Sequence, residues 1–76
     1  MSDFDQDLDV RGLNCPLPII KARKALNTMD TGQIIRVTAT DPGSVKDFEA
    51  FAKQTGNELL ESTAGNGEFT FRLKKG

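Results

Sequence analysis

Two prolines one residue apart, Pro16 and Pro18, constrain this chain more than any other pair of positions. Neither can donate a backbone hydrogen bond, and each fixes its own φ. Such a pair fits the first turn of a helix, where N–H groups have no intrahelical acceptor, and fits neither a helix interior nor a central strand. A helix start is therefore predicted at Pro16, with Pro18 still in the first turn and Cys15 at the N-cap. Upstream, Phe4, Leu8 and Val10 alternate with Asp5, Asp7, Asp9 and Arg11, broken on the apolar side only by Gln6. That period of two predicts a half-buried strand over about 4–11, after which Gly12 permits a sharp turn. Downstream, Ile19, Ala22, Leu26 and Met29 recur at helical spacing with Ala25 beside them, while Lys21, Arg23, Lys24 and Asn27 fall mainly on the opposite face. The helix is expected over 16–30, stopped by Gly32.

The remaining chain repeats the alternation. Residues 33–40 read as a strand with Ile35, Val37 and Ala39 on one face, and Asp41-Pro42-Gly43 reads as a turn. Ser44 followed by Asp47 resembles a capping box; Val45, Phe48, Phe51 and Ala52 form the buried stripe of the next helix, and Gly56 ends it. Residues 58–64 are a weaker strand. Gly65-Asn66-Gly67 signals a hairpin into a last strand over 68–74, where Phe69, Phe71 and Leu73 alternate with Thr70, Arg72 and Lys74. The order β-α-β-α-β-β with right-handed crossovers predicts an α+β fold: a two-layer sandwich with two helices on one face of a four-stranded mixed sheet. Asp5, Asp7, Asp9, Arg36, Arg72 and Lys74 are expected on the open face, and the acids from Asp3 to Asp9 to protect the edge. The length predicts a single domain over 1–76.

What is missing narrows the chemistry. With no histidine, no Cys–His or Ser–His–Asp arrangement forms and no imidazole metal ligand exists. With one cysteine, an internal disulfide, a CxxC redox pair and a cysteine zinc site are excluded within one chain, so no metal and no cofactor are expected. The net charge of −1 offers no general attraction to nucleic acid or to an anionic membrane. The acids at the start are the reverse of a signal peptide, and no apolar run is long enough to cross a bilayer, so the expected location is the cytoplasm, where a lone thiol stays reduced.

Cys15 is the one residue equipped for covalent chemistry. At a helix start, unsatisfied amides and the positive dipole end favour thiolate over thiol, so an acidic Cys15 is expected. Gly12 lets the chain turn ahead of it, Pro16 and Pro18 stiffen the first turn, and Lys21 and Arg23 lie one to two turns onward. The alternative is a small buried cysteine packed at the strand–helix junction. Its position between Gly12 and two prolines weighs against that, because a loop tip before a helix is usually exposed. With no base or metal beside it, a single thiolate cannot hydrolyse. It can exchange at sulfur, holding the product as a mixed disulfide or a persulfide.

Cys15-Pro16-Leu17-Pro18, preceded by Gly12-Leu13 and followed by Arg23, resembles the CPxP signature of the TusA/SirA family of sulfur carriers. The resemblance runs from Leu8 through Arg72 and includes Asp41-Pro42 and the helix from Ser44. It implies a fold like the C-terminal domain of translation initiation factor three. It implies that Cys15 accepts sulfane sulfur from a cysteine desulfurase or a rhodanese as a persulfide, then relays it to another carrier, often DsrE-like. Family destinations are tRNA thiolation, molybdenum cofactor assembly and sulfur oxidation. The resemblance also implies donor contacts through Arg23 and Asp41. Phe48-Glu49 stands where the family often has Ile-Pro, and Asn57 where many members have His, which bears on partner identity.

Two other readings stay open on the residues alone. The basic cluster Lys21, Arg23, Lys24 could make the chain a non-catalytic adaptor, or be simply a solvated face. A lone thiol could also serve as a redox sensor. The chain is read as a monomer acting with partner enzymes, with no direct nucleic-acid or membrane contact.

Overall fold

A computed structural model describes residues 4–76, so Asp3 lies outside the described residues. The elements are β1 (Gln6–Val10), α1 (Leu17–Leu26), β2 (Ile34–Ala39), α2 (Ser44–Thr55), β3 (Glu58–Gly65) and β4 (Glu68–Lys74). The sheet order is β1-β2-β4-β3, with β1 and β2 parallel and β4 antiparallel to both neighbours. The two helix-bearing crossovers, β1 to β2 and β2 to β3, run the same way across the sheet before β4 turns back between β2 and β3, so both helices cover the same face, as expected from right-handed crossovers.

The alternation in β2 and β4 sets the two faces. Ile35, Val37, Ala39, Phe71 and Leu73 are fully buried under the helices and meet Val10 from β1, Ala22 and Leu26 from α1, and Phe48, Phe51 and Ala52 from α2. Phe48 sits at the centre, stacked on Phe71 with ring centroids 4.7 Å apart and meeting Phe51 edge-on at 6.1 Å. On the open face Arg36 grips Asp7, Arg11 grips Asp9 and reaches Glu68, and Arg72 pairs with Glu61. Two-pronged bonding from Arg11 holds the Asp9 carboxyl down at about 2. No helix is long and apolar enough to cross a membrane among the described residues.

Several boundaries differ from expectation, each for a local reason. Phe4 lies before β1 and sets its ring under the Arg36 guanidinium, 4.3 Å from the centroid, instead of sharing a face with Leu8 and Val10. Asp5 also precedes β1; its carboxylate accepts the Ile34 N–H at 2.8 Å. Helix α1 ends at Leu26, not at residue 30. The Thr28 hydroxyl donates to the Ala25 carbonyl at 2.7 Å, and the Thr28 and Met29 amides bond three residues back, tightening the last turn. Met29 is buried from beyond the helix end. The Asn66-Gly67 turn is as expected, with φ positive at both central positions (55° and 77°). A register shift between Leu59 and Glu61 leaves Leu60 exposed on the edge strand β3.

Candidate functional site

The site begins where β1 ends. Gly12, at φ 81°, turns the chain and donates its N–H to the Thr40 hydroxyl at 2.8 Å, tying the exit of β1 to the exit of β2. Few residues other than glycine adopt that φ without strain. Leu13 packs against the core, and Cys15 is exposed as a free thiol. Exposure of the sulfur was the requirement for exchange chemistry, and the structure meets it.

The local geometry corrects two expectations. Pro16 is the N-cap rather than the first helical residue, so Cys15 stands one position outside the helix. Three of the positions that were to stabilise a thiolate offer it no amide: Pro16 and Pro18 have none, and Leu17 donates to the Asn14 carbonyl at 2.9 Å. The prolines that mark the helix start therefore reduce the donors it could turn to an anion. Pro18 is buried and anchors the turn, while Leu17 and Ile20 are 45% and 53% exposed beside the thiol.

What faces Cys15 comes from the β2–α2 loop and the first turn of α2. Asp41 accepts the Cys15 N–H through Oδ2 at 3.0 Å and the Gly43 N–H through Oδ1 at 3.2 Å, clamping the cysteine loop to the entrance of α2. Ser44 is the first helical residue, not a cap; buried, it donates its hydroxyl to the Asp41 carbonyl at 2.6 Å. The capping box is thus not formed, and Asp47 is free to serve elsewhere. The Asp47 carboxylate above all, with partial desolvation and the negative charge of Asp41, pushes the Cys15 thiol up from its ordinary range. The expectation of an acidic cysteine is therefore corrected: the neighbouring carboxylates shift the thiol upward, not downward.

The other residues singled out from sequence spread over two sides. Lys21 and Lys24 border a groove with Gln6, Leu8, Ala25 and Thr28 at the β1 edge. Arg23 points to the opposite side, its guanidinium 5.8 Å from the Phe51 ring centroid. The basic cluster is split, and Arg23 is two turns along α1 from the thiol. Sequence reasoning missed Gly43 and Asp47; the spacing Ser44-to-Asp47 was the available signal, and capping was the wrong explanation of it.

If Asp41 is the clamp, Asp41→Ala leaves two amides without their acceptor. An expected loss of about 1–2 kcal/mol should appear as a lowered urea midpoint, since both groups regain water only in part. An unchanged midpoint would show that the clamp contributes nothing to folding.

The chain matches known proteins along nearly its whole length. Residues 6–75 match the family described as Sulfurtransferase TusA. The chain is 67% identical over 75 residues to the sulfur carrier protein TusA of Allochromatium vinosum, covering 99% of each. It is 35% identical over 77 residues to the sulfur carrier protein TusA of Pseudomonas putida, covering 99% of this chain and 96% of that one. Its structure resembles the crystal structure of a SirA-like protein from Desulfitobacterium hafniense, with TM-score 0.83 and 26% identity over 95% of this chain and 99% of that one.

Proposed function

Because the chain belongs to the TusA family of sulfur carriers, we propose that Cys15 Sγ is the atom on which it carries sulfur, as a persulfide. One observation supports this above others: the chain has a single sulfhydryl, and it is exposed on a loop fixed from both sides by Gly12 and Asp41. The step is an exchange. Cys15 Sγ attacks the outer sulfur of a donor persulfide, the new Sγ–S bond forms as the donor S–S bond breaks, and the donor leaves as a thiol that takes up the proton Cys15 gave. No net oxidation occurs, so no further reagent is needed. Discharge is the same exchange with an acceptor's thiolate attacking the terminal sulfur of the Cys15 persulfide.

The donor in this reading is a cysteine desulfurase or a rhodanese, and the acceptor a DsrE-like or other carrier serving tRNA thiolation or sulfur oxidation. A single carrier domain over 1–76, working in the cytoplasm, suffices for that role. Gly12, Pro16 and Pro18 shape the loop. The exposed Leu17 and Ile20, with Lys21 nearby, supply an apolar and basic surface to a docking partner. Arg23 and Asp41 are the further contacts proposed for the donor.

Incubation with a persulfide donor should raise the intact mass by one sulfur, about 32 Da, and peptide mapping should locate it on Cys15. A chain that gains no sulfur, or gains it on a peptide without Cys15, overturns the assignment.

A further inference from the structure

The sheet order β1-β2-β4-β3 leaves two strands with one side unpaired, β1 and β3. Alternate backbone N–H and C=O groups of an edge strand point away from its sheet. The two edges differ in how well they could template a further strand. On β3 the register shifts between Leu59 and Glu61, which breaks the regular row of donors and acceptors. β1 pairs with β2 residue for residue from Gln6 to Val10 without a shift, and it holds no proline and no lysine to turn a strand away. Between this edge and α1 runs a groove lined by Gln6, Leu8, Lys21, Lys24, Ala25 and Thr28. Among the described residues no acid lines it. Arg11, Arg36 and Arg72 are each matched to a carboxylate of this chain, whereas Lys21 and Lys24 enter no ion pair. Three residues apart on α1 and both exposed, the two ammonium groups repel one another.

We propose that the β1 edge takes up an extended, acidic segment of a partner protein as a fifth strand of the sheet, with the segment's carboxylates on Lys21 and Lys24. Main-chain hydrogen bonds along β1 hold such a segment, and its side chains face α1 and the open face in turn. Acids at the positions that face α1 meet the two lysines, which are the only charges lining the groove. A second copy of this chain has the wrong pattern. Set against β1 of a copy, it would bring lysines to lysines on the helix side, and Asp7 and Asp9 to the same acids on the open side. The acids of β1 therefore guard the edge against self-association and leave it open to a strand of the complementary pattern. Placement gives the edge its use. β1 runs directly into the Gly12 turn and the loop of Cys15, so a segment seated along it holds its protein beside the thiol. That use, unlike the binding, rests on Cys15 being the sulfur-bearing atom.

The native, isotope-labelled protein is titrated with a short peptide of alternating threonine and glutamate, and amide chemical shifts and hydrogen exchange are followed. Shifts should appear in β1 and α1, β1 amides should gain protection, and β3 should be unaffected. A peptide of alternating threonine and lysine should not bind, and the double variant Lys21→Gln, Lys24→Gln should bind the acidic peptide severalfold more weakly. Two N-methylated versions of that peptide separate a strand from a mere charge contact, one methylated at its glutamates and one at its threonines. In a paired strand only one of these sets of amides faces β1, so one version should lose binding and the other keep it. Equal binding by both overturns strand addition. Binding that maps to β3, or no binding at millimolar peptide, also overturns it. So does β1 protection that grows with protein concentration in the absence of peptide, since a second copy would then be the occupant. Sulfur loading of the native protein is scored separately. Loading without peptide binding removes the docking edge and leaves the carrier; peptide binding without loading leaves the edge and removes its use beside the thiol.

Discussion

Cys15→Ser loses sulfur loading completely while its unfolding curve stays within about 0.5 kcal/mol of the native one. The two halves of that result have separate causes. A hydroxyl cannot form the sulfur–sulfur bond that holds the cargo, and the chain has no second thiol to substitute for it. The side chain contributes nothing to the core, because Cys15 is exposed and stands outside α1. Its structural role is carried by its backbone: the N–H that Asp41 accepts is present whatever the side chain. Intact-mass spectrometry after exposure to a persulfide donor reads the first half, and urea denaturation the second. A serine variant that still gains sulfur would place the cargo elsewhere. A variant that loads nothing because it has unfolded would move the denaturation midpoint, so the two failures are told apart. The same variant also separates the carrier from an adaptor, whose partner binding through the α1 surface would survive the change.

The parts of this molecule that could be foreseen are those fixed by neighbours in sequence. The alternation of Phe69, Phe71 and Leu73 marks β4 because a pleated strand presents alternate side chains to one core. Asn66-Gly67 marks the hairpin because both residues accept positive φ. Cys15, Pro16 and Pro18 mark the strand-to-helix turn. Where the reading failed, the deciding contact was either a competing local bond or a residue distant in sequence. Met29 continued the helical spacing, and only the Thr28 hydroxyl taking the Ala25 carbonyl ended α1 three residues earlier. The sign of the thiol's ionisation was misjudged for the second reason. The dipole argument used residues 15–18 alone, whereas the charges that prevail belong to Asp41 and Asp47. Nothing between those positions and Cys15 announces the approach; the parallel pairing of β1 and β2 creates it by ending both strands at the same edge, so that Val10 lies opposite Ala39.

Phe48→Ala strips away a large share of the domain's stability and lowers its urea midpoint sharply. A domain of this size has a total stability of roughly 4–11 kcal/mol, and truncation of a buried phenylalanine typically costs about 3–5 kcal/mol. Phe48 belongs at the upper end of that range. It is fully buried, and it joins both layers of the sandwich through Phe71 below and Phe51 along its own helix. Aromatic pairs of this kind add to the stabilisation that comes from burial alone. The sheet cannot close over the gap, since Val37 and Phe71 are held in register by pairing on both sides of β4. Phe48→Leu, which retains an apolar side chain in a shape the site can partly accommodate, should lose less and stay folded. Glu49 keeps the α2 backbone donors intact, so the helix runs unbroken from Ser44 to Thr55, with the Asp41 clamp at its entrance. The consequence for the site is specific: as Phe48→Ala is titrated with urea, the Cys15 amide should lose its hydrogen-exchange protection in step with the loss of α2, because Asp41 clamps that amide to the helix entrance. An amide that kept its protection through that unfolding would show that the packing of Phe48 does not hold the clamp.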